Sequence, residues 1–253
     1  MNGAQTADGG RNEGSAIRGA IQARITDGRI RPGERIVEQR LAEDLGTSRT
    51  PVREALTAMM ALGQVTRTRS GWETVDHTPE ELRDAFRLRA SLESFAAFNA
   101  ALEATEEQQQ AVREAYDRMH VASGRSYSDA LERAQVMASL NRRFHQQVAI
   151  ASNNTRLPGV MDAVVVAPLV FSAFSWYTEA QLERSDYLHG AICDAICNRD
   201  PHRAEWLMAE HILEGWEVVE RNVEPAADGQ RSADLWHRLQ PTAASDGANN
   251  NSK

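Results

Sequence analysis

Apolar residues recur at helical spacing through most of the chain, broken once by a short stretch of alternating pattern. Ile17, Ile21 and Ile25 share one face of a first predicted helix, which Ser15 can cap and Gly28 can stop. Arg31-Pro32-Gly33-Glu34 is a turn, and a second short helix runs from about Val37 to Leu45, where Gly46 ends it. A third helix begins near Thr47 or Ser48, and its Val52, Ala55, Leu56, Met59, Met60 and Leu62 are spaced to pack on the first two. Two short helices joined by a Gly-containing turn make a helix-turn-helix unit. After Gly63 the pattern switches: Gln64 to Arg69 and Trp72 to Val75 are two short β-branched strands around Ser70-Gly71, a wing.

From Thr78 onward the pattern is helical only. Thr78-Pro79-Glu80-Glu81 combines an N-cap, a Pro at the first helical position and a capping-box Glu, and Thr105 to Gln108 repeats the box. Ser128, Ser185 and Asp200-Pro201 mark later starts. Six helices are predicted, at about 79–102, 105–123, 128–151, 157–174, 183–198 and 201–222, with no strand among them. The expected fold is therefore mainly α, an N-terminal winged helix-turn-helix followed by a C-terminal all-α bundle. Residues 15–76 form the first domain, 77–80 a linker and 81–222 the second. Residues 1–14 and 223–253, rich in Gly, Asn and Ala without periodicity, are expected to be disordered arms.

Composition is that of a globular protein, 42% hydrophobic and 25% charged. No apolar run approaches the roughly 20 residues of a membrane helix, and no secretory leader is visible, so a cytoplasmic protein with no membrane partner is expected. Cys193 and Cys197 are too few for a disulfide framework. The net charge of -8 argues against nucleic acid until its distribution is considered. From Ser15 to Val75 there are ten Arg against seven acidic residues, so the acidity belongs to the second domain. The sole Lys is Lys253, and the remaining positive charge is Arg, suited to bidentate contact with phosphate and guanine.

With its apolar side inward, the third helix presents Ser48, Arg49, Thr50 and Arg53 at its N-terminus, where backbone N–H groups and the helix dipole attract phosphate. N-terminal residues of the second helix of a helix-turn-helix meet base edges, which points to Arg49 and Arg53 for the major groove. The plainer reading pairs them with Glu54 or Asp44 on a solvated face. The pattern PGxRIxExxLAxxLGxSRTPVREAL, from Pro32 to Leu56, resembles the N-terminal domain of the GntR family of bacterial regulators, with Gly63 and Gly71 in matching places. That resemblance implies a homodimer on double-stranded operator DNA, touched by Gln39, Arg40, Arg49, Thr50, Arg53 and the wing tip from Arg69 to Gly71.

Of seven His residues, His77, His120, His202 and His237 read as plain surface. His145, one turn after Asn141, and His189 and His211, within the apolar stretches of the last two helices, each face inward, as a bundle builds a metal site. Hydrogen-bonded core His residues are the other reading of each. The fragments NRRFHQQVAIASNN and YLHGAICDAICNRDPHRAEWLMAEHI resemble the FCD ligand domain that follows the GntR headpiece in one large subfamily. By that resemblance the metal ligands are Asn141, His145, His189 and His211, with Asn141 standing where Asp is common. A neutral amide is the weaker partner for a cation, and the imidazole-rich set suits Zn, with Ni or another transition ion open. The resemblance also puts Arg89 against the carboxylate of a small organic-acid effector; an Arg89–Glu93 helix pair is the alternative. His189, Cys193 and Cys197, one turn apart in succession, form a weaker metal or redox set.

The expected function is transcription regulation in which effector and metal in the helical domain alter operator affinity. A metal-dependent enzyme acting on a small organic acid, and a DNA-binding protein with a purely structural metal, are the rivals. The neighbours of Asn141 and His145 in the chain include no carboxylate to serve as general base, which weighs against the enzyme.

Overall fold

A computed structural model of the chain describes residues 6–26, 29–164, 173–174 and 176–222. In the first part α1 (Thr6–Thr26), β1 (Arg35–Ile36), α2 (Glu38–Asp44) and α3 (Arg49–Ala61) precede the wing strands β2 (Val65–Thr68) and β3 (Gly71–Thr74). Ile17, Ile21 and Ile25 of α1 meet Val52, Leu56 and Met59 of α3, and Trp72 closes the cluster from the wing. Met60 departs from expectation: it is exposed, since the inner stripe of α3 is set by Val52, Ala55, Leu56 and Met59 and leaves it at the edge.

Glycine closes both helices of the reading unit. Gly46 and Gly63 take positive φ, and in each case the next residue's N–H reaches back to a carbonyl five residues earlier, Thr47 to Ala42 and Gln64 to Met59. The cap at Gly46 sets the angle at which α3 leaves α2, and the cap at Gly63 sets how the wing leaves α3. The sheet is antiparallel in the order β1-β3-β2, with Ile36 and Arg67 flanking Trp72. Strand β1 was not foreseen, because two residues after a turn carry no readable period.

Two helix starts also move. α1 begins at Thr6, so residues 6–14 are helical instead of an irregular arm, and Ser15 lies inside the helix and not at its cap. No Pro interrupts residues 6–26, and the buried Ile17, Ile21 and Ile25 anchor the segment's C-terminal half. Gly28, residues 1–5 and the tail 223–253 fall outside the described residues.

The second part is helical: α4 (Pro79–Glu103), α5 (Glu106–Ser123), α6 (Ala130–Ala151), α7 (Leu157–Val164), α8 (Glu179–Cys197) and α9 (Pro201–Asn222). Capping boxes start α4 at Thr78 and α5 at Thr105, as expected, and a third at Thr178 with Gln181 starts α8. Ser185, expected to begin that helix, is buried two turns inside it. Residues 165–172 of the expected fourth helix lie outside the described residues. The Ala side chains at 90, 96, 97, 100 and 101 make α4 thin enough for its neighbours to approach closely. α9 runs antiparallel along it, Trp216 on Phe86 at 5.6 Å and His202 on Phe98 at 5.4 Å.

Because an Ala Cβ is strained at positive φ, Gly46→Ala should destabilise the first part by about 1 kcal/mol, read as a lower urea midpoint with unchanged slope.

Candidate DNA interface and metal centre

The N-terminus of α3 is open to solvent, and Ser48, Arg49, Thr50 and Arg53 are all exposed there. Ser48 is the N-cap residue without a capping bond from its side chain. On α2, Gln39 and Arg40 are exposed, and Gln39 donates to Glu43 at 3.2 Å. At the wing tip Arg69 is exposed, and Gly71 takes a φ of 127°, which L side chains avoid. Thr68 and Ser70 both donate to the Glu73 carboxylate at 3.0 Å, which ties the tip. Neither Glu54 nor Asp44 holds the arginines. Glu38 does: Arg53 donates Nε at 2.9 Å and Nη2 at 2.7 Å, and Arg49 donates Nη2 at 3.2 Å. The Trp72 indole N–H reaches the same carboxylate at 2.9 Å. These donors, Arg53 foremost, hold the Glu38 carboxyl down at about 2 against the partial burial that opposes them. Glu38 escaped the sequence reading because its partners lie 11, 15 and 34 residues away.

In the bundle, His145 of α6, His189 of α8 and His211 of α9 are buried, with ligand atoms all within 4.8 Å of one another. Asn141 is buried beside them, its Oδ1 2.9 Å from His189 Nε2. Burial, and then His145, push His189 down to about 3, and burial also takes His211 well below 6.5, so both imidazoles are neutral. The proton positions follow from the partners. His189 Nδ1 faces the Ser185 carbonyl at 2.7 Å, which only accepts, so Nδ1 carries the hydrogen and Nε2 a lone pair. That lone pair faces the Asn141 oxygen, another acceptor. A half-turn of the amide would make an ordinary hydrogen bond, and the oxygen-inward arrangement would suit a shared cation.

His145 repeats the logic. Its Nδ1 meets the Glu93 carboxylate of α4, and its buried Nε2 has no hydrogen-bond partner. Glu93 is 1% exposed and accepts from Arg89 Nε at 2.9 Å. Burial works to raise the Glu93 carboxyl, and the charges of His145 and Arg89 overcome it, leaving it at about 2. The donor set fits a divalent ion: His189 and His211 are neutral, His189 is held at Nδ1 by a carbonyl, and His145 is backed by a carboxylate with its Nε2 unpartnered. Glu93 was weighed in the sequence only as the helix partner of Arg89. Its place among Phe86, Ala90 and Ala97 on the inner stripe of α4 was the available signal.

Arg89 is buried, over the Phe86 ring at 5.1 Å, with Nε given to Glu93. A cavity of 280 Å³ opens beside His211, lined also by Tyr177, Ser185, Arg184, Glu214 and Arg221. Burial pushes the Tyr177 phenol up to about 12, so it presents a hydroxyl. Cys193 is buried and its thiol is likewise pushed up to about 12 by burial, then by Cys197, which disfavours a thiolate there.

Comparison with known proteins gives the family. The family model for bacterial regulatory proteins of the gntR family matches residues 14–73, and the FCD domain model matches 84–214. The chain belongs to the GntR family, with an FCD domain. A Paenarthrobacter nicotinovorans protein named "Probable D-xylose utilization operon transcriptional repressor" is 29% identical over 200 residues, 78% of this chain and 84% of that protein. The Glc operon transcriptional activator of Escherichia coli K12 is 28% identical over 216 residues, 76% of this chain and 83% of that one. Among solved structures, E. coli McbR/YncC superposes with a TM-score of 0.72 at 20% identity, covering 84% of this chain and 99% of that one. A GntR regulator from Rhodococcus sp. RHA1 gives 0.63 at 20% identity, covering 82% and 98%. This GntR-family chain is a DNA-binding transcriptional regulator; its relatives are named regulators, and the metalloenzyme alternative has no support from them.

The Glu38 carboxyl titrates near 2 when folded against 4.5 ordinarily, so its contribution is complete above about pH 4.5 and is lost as pH falls toward 2. Glu38→Gln should therefore lower the melting temperature above pH 4.5, with the gap to the unaltered protein closing below it, as followed by circular dichroism.

Proposed function

We propose that this chain is a cytoplasmic, homodimeric regulator whose affinity for double-stranded operator DNA is set by a small carboxylate effector bound beside a divalent metal ion. Residues 15–76 are the DNA-binding domain, 77–80 the linker and 81–222 the sensor. Gln39, Arg40, Ser48, Arg49, Thr50 and Arg53 face the major groove or its phosphates, with Arg69 and Gly71 at the wing. Asn141, His145, His189 and His211 hold the ion, with Zn favoured by the imidazole set. When bound, the ion supplies a fixed positive charge toward the cavity beside His211. Arg89, whose Nε balances Glu93, adds a second positive charge behind the same site, which favours an anionic ligand.

The observation that carries this reading is the convergence of ring nitrogens of His145, His189 and His211 within 4.8 Å of one another, in a buried place beside Asn141 where His145 Nε2 has no hydrogen-bond partner. Purified protein should contain about one equivalent of transition metal per chain by elemental analysis, lost in His189→Ala. Zn added to chelator-treated protein at 100 times its dissociation constant should stabilise it by about 2.7 kcal/mol. Protein that neither retains an ion nor shifts on adding Zn, Ni or Mn refutes the metal. Monocarboxylates and dicarboxylates of two to six carbons, screened by melting temperature and then by operator anisotropy, test the effector; a full panel without effect refutes it.

Dimerisation is supported by the outer side of the α4–α9 pair. Leu88, Phe95 and Leu102 recur every seven residues on α4 and are about half exposed; Trp206 (76%) and Leu213 (42%) are exposed on α9. With Phe86 level with Trp216 and Phe98 with His202, Phe95 stands level with Trp206 and Leu88 with Leu213. Both sets lie off the seam in the same rotational sense. Together they leave about 500 Å² of apolar surface per copy, so a pair would bury on the order of 1,000 Å², the least that a specific interface needs. Phe95→Glu combined with Trp206→Glu should give monomers by light scattering and weaken operator binding at least about 100-fold, because a half-site alone forfeits the second headpiece.

A further inference from the structure

We propose that Glu38 is a selectivity-setting residue: its partly buried carboxylate orients Arg49 and Arg53 for base edges while cancelling part of the charge with which they would grip any duplex. The inference rests on DNA reading by α3 and concerns a residue of α2. Glu38 exposes only 12% of its side chain, whereas Arg49 and Arg53 expose 59% and 54%. The carboxylate lies beneath the two guanidiniums and does not compete with them for the outer surface.

The bonding pattern decides what each group can still do. A guanidinium has a side edge, Nε with one Nη, and an end edge made of both Nη atoms. Glu38 takes the side edge of Arg53 with two hydrogen bonds, so its end edge is left to point outward, in the geometry that reads guanine O6 and N7. Arg49 gives only Nη2 at 3.2 Å and keeps the rest of its fork for the duplex. A side chain held this way enters the groove with its rotamer already chosen, and the ordering cost of binding falls. The Trp72 indole fixes the carboxylate from the wing side, and Arg67 lies over that indole at 5.1 Å, so wing and reading helix share one anchor.

The same carboxylate has an opposite effect on unspecific binding. Two arginines and one carboxylate carry a net charge of one, where the arginines alone would carry two. Contacts to phosphate depend on charge and not on base identity, and their number sets the salt dependence of affinity. Glu38 thus lowers affinity for random duplex while preserving the oriented contacts that operator binding uses. A bound operator gains from orientation and loses from charge; a random duplex only loses.

Two substitutions separate the effects. Glu38→Gln keeps the shape and one accepting oxygen, so it removes the charge and one of the two bonds to Arg53; Glu38→Asp keeps the charge and withdraws the carboxylate by one methylene, spoiling the fork. Each full-length variant is titrated against the operator duplex enriched from a random library by the unaltered protein, and against a random-sequence duplex of equal length, over 50 to 300 mM KCl. For Glu38→Gln, random-duplex affinity is expected to rise about 10-fold with a salt slope steeper by about 1, while operator affinity changes less than about 3-fold. For Glu38→Asp, operator affinity is expected to fall about 10-fold with random-duplex affinity unchanged. Circular dichroism melts confirm folding of each variant. An operator-to-random ratio that stays constant in both variants overturns the proposal. So does a Glu38→Gln ratio that falls only by loss of operator binding, with random-duplex affinity and salt slope unmoved, because Glu38 would then be a scaffold alone.

Discussion

A carboxylate removed from water needs positive partners close by, and in this chain that requirement organises both ends of the molecule. Glu93 is the deeper case. It stands on the inner stripe of α4, where every neighbour in the helix except Arg89 is apolar or small, and its burial alone would cost several kcal/mol. Arg89 from the preceding turn and His145 from α6 both answer it. Satisfying Glu93 fixes the Nδ1 hydrogen of His145 and turns the opposite nitrogen inward, toward His189 and His211. The geometry of the histidine cluster is thus set partly by a charge outside it.

The headpiece applies the same rule to a shallower carboxylate. Glu38 begins α2, in front of the helix it controls, and gathers donors from α3 and from β3. Without it, the wing would meet α3 through the apolar contacts of Trp72 and Val65. With it, the wing and the reading helix share a polar anchor that resists sliding, because hydrogen bonds to a charged, largely buried acceptor are directional and strong.

Local periodicity and capping made the architecture legible. Thr78 and Thr105 cap as their spacing implies, Gly46 and Gly63 end helices, and the period-2 stretch after Gly63 becomes the wing. The three histidines were also readable, His189 and His211 from the apolar stretches around them and His145 from its place one turn after Asn141. What escaped was settled by distant partners. Strand β1 exists because Ile36 pairs with Trp72, and Glu38 matters because Trp72 and Arg53 reach it. Thr178 outcompetes Ser185 as a helix start because Gln181 completes its box and because Ser185 is needed inside, where its carbonyl holds His189. Arg89 illustrates the limit of spacing: the same i, i+4 interval to Glu93 describes an exposed pair of little weight or a buried pair that determines a site, and only burial separates them.

α4 and α9 link these features. α4 carries Glu93 on its inner side and Leu88, Phe95 and Leu102 outside; α9 carries His211 inside and Trp206 and Leu213 outside. A helix is stiff along its axis, so a ligand that draws His211 toward the cavity moves Leu213 with it, half a turn further on. In the proposed dimer those outer residues form the joint between copies, and a small change there is enlarged over the distance to the two headpieces. Such a route requires the effector to favour one arrangement of the joint over another, by the 1–3 kcal/mol typical of coupled sites. The buried Arg89–Glu93–His145 chain suits that requirement, because an added anion beside His211 changes the electrostatic balance of a charge cluster that water does not screen.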